Sequence, residues 1–86
     1  MASSRAVTVG TSPTLLSQSK KAVVIDNRST QTVFVGGSNV SATTGFGVDA
    51  SQKMVVDFSY ASAISVGALY GVVASGTADV RVLEFD

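Results

Sequence analysis

The chain has no cysteine, no histidine and no tryptophan, a single proline, and only 14% charged residues. Without Cys or His it can build neither a disulfide nor a Cys/His zinc site to supplement its stability. Without His the usual base of a nucleophilic triad is missing. Ser-Lys chemistry would have to use Lys20, Lys21 or Lys53, in a chain where serine is so abundant that a chance approach means little. Paired carboxylates would draw on Asp26, Asp49, Asp57, Asp79, Glu84 and Asp86, most of which fall at turns or strand ends, where acidic residues are structurally ordinary. The glycine clusters Gly36-Gly37 and Gly45-Phe46-Gly47 precede no helix and carry no trailing lysine, so they form no phosphate cradle. A calcium site on Asp26, Asn27 or Asn39 lacks the ligand spacing of a binding loop. The expectation is a protein that is not an enzyme, with no catalytic residue, no metal and no cofactor.

Charge of one sign is missing too. Six Lys plus Arg against six Asp plus Glu leave no net charge, so the basic stripe that nucleic-acid binding needs is absent. No run approaches about 18 apolar residues, which argues against a membrane span. No hydrophobic stretch follows Met1-Ala2-Ser3-Ser4-Arg5 that would serve as a secretory signal, and the expectation is synthesis in the cytoplasm. Soluble monomers usually sit away from neutrality, and near-zero net charge favours association. Self-association or docking is therefore expected.

What remains is β-forming material: 15 valines and 21 serines plus threonines in 86 residues. Branched side chains pack well on a pleated surface, while Gly, Ser and Asn supply turns. The length allows one domain, residues 1–86, which hides roughly 60–65% of its unfolded surface and so has a thin core. Short apolar runs at roughly ten-residue spacing predict an all-β fold, a compact single-domain β-sandwich or barrel of about eight short, mostly antiparallel strands. Arg5 to Val9 opens it, with Val7 and Val9 on one face, and Pro13 breaks the chain before Thr14 to Leu16. The segment Lys21 to Gly36 reads as a hairpin with its tip at Asp26 to Thr30. Val40 to Thr44 and Phe46 to Val48 read as a weak, glycine-interrupted pair. Lys53 to Phe58 buries Met54, Val56 and Phe58, and Ala68 to Phe85 reads as a closing hairpin through Ser75 to Ala78.

Two strands carry more information. Ala22 to Ile25 and Leu69 to Ala74 are apolar or small on both faces, whereas a strand with one face in water should alternate. A central place in a sheet covered on both sides explains this, and in so small a domain the outer cover can be another subunit. Of the six aromatics, Phe34, Phe58 and Tyr70 lie within apolar strands and are assigned to the core. Phe46, Tyr60 and Phe85 lie in a glycine turn, an irregular segment and the C-terminal tail, and are the candidate partner-facing aromatics.

The hairpin residues resemble a known family. Ala22-Val23-Val24-Ile25-Asp26-Asn27-Arg28-Ser29 leads to Val33-Phe34-Val35-Gly36 and to Thr43-Thr44-Gly45. The closing run is Leu69-Tyr70-Gly71-Val72-Val73-Ala74-Ser75-Gly76-Thr77-Ala78-Asp79-Val80-Arg81-Val82-Leu83-Glu84. Together they resemble the small head decoration, or cement, proteins of tailed bacteriophages over most of Lys21 to Glu84. Gly71 and Val72 depart from that pattern, and Ser59 to Gly67 has no counterpart in it. The resemblance implies a structural virion protein on the capsid surface, a homo-oligomer with a trimer favoured, that binds the major capsid protein, bridges coat subunits and stabilises the shell. On that reading residues 1–12 are a capsid-docking N-terminal segment, with Ala2, Ser3, Ser4, Arg5, Ala6, Val7, Thr8 and Val9 as candidate contacts that add a strand to a coat edge. The alternatives are a receptor- or carbohydrate-binding β-module, or a fibre, tail or neck component.

Overall fold

Residues 2–18, 22–57 and 68–85 are described by the computed structural model. They form eight strands: β1 (Ala2–Val9), β2 (Thr14–Ser17), β3 (Ala22–Asn27), β4 (Val33–Gly36), β5 (Phe46–Val48), β6 (Lys53–Asp57), β7 (Leu69–Val72) and β8 (Ala78–Phe85). They make two four-stranded sheets, in the orders β1-β8-β3-β6 and β2-β7-β4-β5. All the pairings are antiparallel.

The order has a simple origin. β1 pairs with β8, β2 with β7, β3 with β6 and β4 with β5, so the chain runs out and back as one long hairpin whose tip lies between β4 and β5. Rolling that ribbon brings β8 against β3 and β7 against β4, which completes the two sheets. This is the strand order of a jelly roll. The β-sandwich expected from the sequence is therefore present, and each sequential connection except β4 to β5 carries the chain from one sheet to the other.

Alternation along each strand fills the space between the sheets. Val23 and Ile25 of β3, Val80 and Val82 of β8 and Val9 of β1 face Leu16, Val33, Val35 and Val48 of the opposite sheet, and all are buried. Half-buried Val7, Met54, Val56 and Leu69 close the rim. Gly71 sits in the β7 row because a Cβ there would lie 2.9 Å from Leu16 Cδ1, so its missing side chain makes room for the leucine.

One polar side chain is fully buried at the end of β3. Asn27 Nδ2 donates to the carbonyls of Gln31 (2.8 Å), Val48 (2.8 Å) and Asp49 (3.2 Å), and Asn27 Oδ1 accepts from Ser29 N (3.0 Å) and Ser29 Oγ (2.7 Å). Its backbone amide donates to Gln52 O at 3.0 Å. Asn27 thus clamps the β3–β4 crossover to the β5–β6 connection, and both ends of its amide are used.

Several expectations are corrected. Lys21 to Gly36 and Ala68 to Phe85 are not hairpins: β3 and β4 lie in different sheets, as do β7 and β8, and the Asp26 to Thr30 and Ser75 to Ala78 turns are crossovers. Gly76, at φ 66°, makes the second of these. Val40 to Thr44 is a turn. It is held by Ser41, whose carbonyl accepts from Gly45 N at 2.9 Å and whose hydroxyl bonds Thr44 Oγ1 at 2.9 Å, local bonds that compete with a strand ladder. Phe34 and Tyr70 are only half-buried and stand outside the central cluster, because Val33 and Val35 take the inward positions of β4 and Tyr70 lies opposite outward-facing Gly36. Phe58 lies outside the described residues.

Replacing Asn27 with alanine leaves buried carbonyls and an amide without their partner, an effect worth about 2–4 kcal/mol. Urea denaturation of Asn27→Ala should show that loss. A change below about 0.5 kcal/mol would mean that the clamp is dispensable.

Candidate interaction surface

The outer face of the β1-β8-β3-β6 sheet is divided across the strands. Register places Ala6, Arg81, Asp26 and Lys53 in one row, and Ser4, Leu83, Val24 and Val55 in the next. Ala2, Phe85, Ala22 and Asp57 form the row beyond. One half of the face therefore carries Arg81, Asp26 and Lys53, and the other is mostly apolar or small, with Asp57 at its β6 end.

The charged half is partly paired, with Lys53 outside the pairs. Arg28 Nε lies 3.2 Å from Asp26 Oδ2, and Arg81 pairs with Asp79 along the same strand. Exposed pairs of this kind contribute little to stability, but they leave few charges that a partner would have to neutralise. The apolar half is open: Val55 is 69% exposed, Phe85 38% and Leu83 36%. A shallow recess of about 220 Å³ joins the halves, lined by Ser4, Val24, Asp26, Lys53, Arg81 and Leu83.

The other sheet differs. The 37–45 segment folds back on its outer face, where Val40 is buried and its Cγ2 lies 3.1 Å from a Cβ built on Gly36. Gly45 packs there too, since a Cβ on it would lie 2.6 Å from Phe34 Cβ. Both doubly apolar strands hold central positions, as expected, β3 between β8 and β6 and β7 between β2 and β4. Around β4 part of the outer cover is the chain's own loop, whereas beside β3 the face lies open at Val55 and Leu83.

The candidate residues do not converge. Phe46 is 70% exposed on β5, at the seam with β6, beside a recess of about 330 Å³ lined by Val35, Met54, Val55, Val56 and Leu69. Phe85 lies on β8 in the other sheet, between β1 and β3. Tyr60 lies outside the described residues. No aromatic platform is assembled from Phe46 and Phe85. Ala2 to Val9 form an edge strand paired with β8 along its whole length, rather than a free arm, with Val9 in the core and Val7 packed against it.

Sequence reasoning missed a polar cluster at the β1 edge. Arg5 Nε lies 3.2 Å from Glu84 Oε1, Arg5 Nη2 donates to the Leu16 carbonyl, and buried Ser17 Oγ donates to Glu84 Oε2 at 2.7 Å. The cluster straps β1 and β8 to β2 across the sandwich. Its signal in the sequence is faint, because Arg5, Ser17 and Glu84 are far apart and only the antiparallel register joins them. Among the described residues no three acidic side chains gather as a metal site, and Asn27, a calcium candidate, spends its carbonyl on Ser29. Lys53 is exposed in the row with Asp26 and Arg81.

Comparison with protein-family models, curated proteins and solved structures finds no match to this chain.

Cutting the strap should loosen β1 more than the rest. In Arg5→Met, hydrogen exchange of the Arg5 and Val7 amides is expected to accelerate several-fold relative to Ile25. Equal acceleration at all three positions would show the cluster to be a global rather than a local support.

Proposed function

We propose that this chain is a structural virion protein that decorates a tailed-phage capsid from outside and stabilises it by bridging coat subunits. The major capsid protein is the partner, and the contact is the apolar half of the β1-β8-β3-β6 face. The observation that carries the reading is this face, with Val55 and Leu83 exposed in one row with Val24 on a chain with no net charge. Covering such side chains contributes about 25 cal/mol per Å² of apolar surface, and on this chain the row through Leu83, Val24 and Val55 can be covered without desolvating a charge of its own. The resemblance of Lys21 to Glu84 to head decoration proteins supports the same reading. The jelly-roll order agrees with it by analogy only, because viral capsid proteins, lectins and cupins all use that order.

The test is co-sedimentation of purified protein with expanded, DNA-filled capsids of the phage concerned. Wild-type protein should bind saturably. The double variant Val55→Asp, Leu83→Asp should bind at least about tenfold more weakly, a 1.4 kcal/mol effect, while keeping its β-sheet circular dichroism. Full binding by this variant would remove the face from the proposal, and no binding by wild-type protein would remove decoration altogether.

A second reading is a receptor- or carbohydrate-binding module, favoured by exposed Phe46 beside its apolar recess. On that reading Phe46→Ala abolishes glycan binding and leaves capsid attachment intact. On the decoration reading the wild-type protein retains no glycan in the same assay.

A further inference from the structure

A sheet edge presents unpaired backbone groups, and proteins blunt such edges with short strands, bulges or charges. Three of the four edges here are blunted. β5 has three residues, β2 has four with a register break between Leu15 and Ser17, and β6 carries Lys53. β1 is different: it has eight residues, an unbroken register and no lysine or proline.

The direction of its free groups follows from the ladder. Arg28 N donates to Asp79 O, which fixes Asp79, Arg81, Leu83 and Phe85 as the β8 residues whose backbone turns to β3. Their neighbours Ala78, Val80, Val82 and Glu84 therefore bond to Val9, Val7, Arg5 and Ser3 of β1. Ala2, Ser4, Ala6 and Thr8 are left with N–H and C=O pointing away from the sheet. Their side chains are small and exposed, so nothing bulky guards the edge. Arg5 is the one charge on the strand, and it is tied back to Glu84 and Leu16 of its own sandwich.

We infer that the β1 edge is an interface with β1 of a second copy of this chain, paired antiparallel about a two-fold axis to form a continuous eight-stranded sheet. Isologous contact requires a self-complementary strand. A register centred on Ala6 meets this requirement: it joins Ser4, Ala6 and Thr8 of the two copies through about six hydrogen bonds and keeps the two Arg5 side chains off the axis. A register centred on Arg5 would oppose two guanidinium groups, which selects against it. The absence of net charge removes long-range repulsion between copies. This goes beyond the capsid reading, because it concerns the protein alone. It also predicts a pair, whereas the trimer implied by the family resemblance needs a different contact.

One strand pair covers less than the roughly 800 Å² per partner of a standard interface, so the association should depend on concentration. Sedimentation equilibrium without capsids, from about 10 µM to 1 mM, should show the mass rising from 8.7 kDa towards twice that value. Ala6→Pro should stay monomeric yet fold normally, because the Ala6 N–H is not used in the β1·β8 ladder and proline is tolerated on an outward edge. Ala6→Lys keeps the amide, places like charges across the axis, and should also stay monomeric, which covers a folding failure of the proline variant. In wild-type protein the Ser4, Ala6 and Thr8 amides should exchange more slowly as concentration rises, while Val7 does not change. A wild-type monomer at about 1 mM, or a dimer or trimer unaffected by either substitution, overturns the inference. Capsid binding by a monomeric Ala6→Lys would leave the decoration reading standing on its own.

Discussion

The fold depends on how its ends are held when a long two-stranded ribbon is rolled into two sheets, and the buried amide of Asn27 holds one of them. Every crossover between sheets must leave one ladder and enter another, and the backbone groups it strands at the rim need partners. Asn27 supplies them for two crossovers at once. It donates to carbonyls of the β3–β4 and β5–β6 connections and accepts from Ser29. Among the described residues no buried side-chain polar atom lacks a partner. An apolar residue of similar size would fill the space but leave those groups unsatisfied, which is why a polar side chain sits among valines.

The same economy explains the surface. A thin core of Val, Leu and Ile made by eight short strands uses the inward half of each alternation. The outward half is then free to differ between the sheets. On one sheet the 37–45 loop folds back with Val40 and covers part of that face. On the other the outward positions split into a charged band, partly paired by Arg28 with Asp26 and Arg81 with Asp79, and a mostly apolar half with no described segment over Val55 or Leu83. The long β1 edge lies beside this open face in the same sheet.

Much of this was legible. Alternation of Met54 and Val56 with Val55 gave the buried side of β6, and the doubly apolar Ala22 to Ile25 and Leu69 to Ala74 marked β3 and β7 as central. What was not legible is long-range pairing. A polar turn between apolar runs is also what a hairpin looks like, so sequence pairs strands that are adjacent along the chain. In a rolled ribbon, however, such turns cross between sheets. The apolar run around Phe34 suggests core, but a period of two lets Val33 and Val35 face inward and sends the ring outward. Arg5, Ser17 and Glu84 form one cluster only after β1, β2 and β8 are brought together.

By itself the sequence determined the class of structure and which side-chain types are on hand: Val and Thr with Gly-rich turns specify short strands, and the chain carries no Cys or His. Those are local properties, carried by each residue wherever the chain goes. The tertiary structure alone decided which strands pair, which face stays open, and which backbone groups of β1 point outward. All three follow from long-range register, and a one-residue slip reverses every side chain.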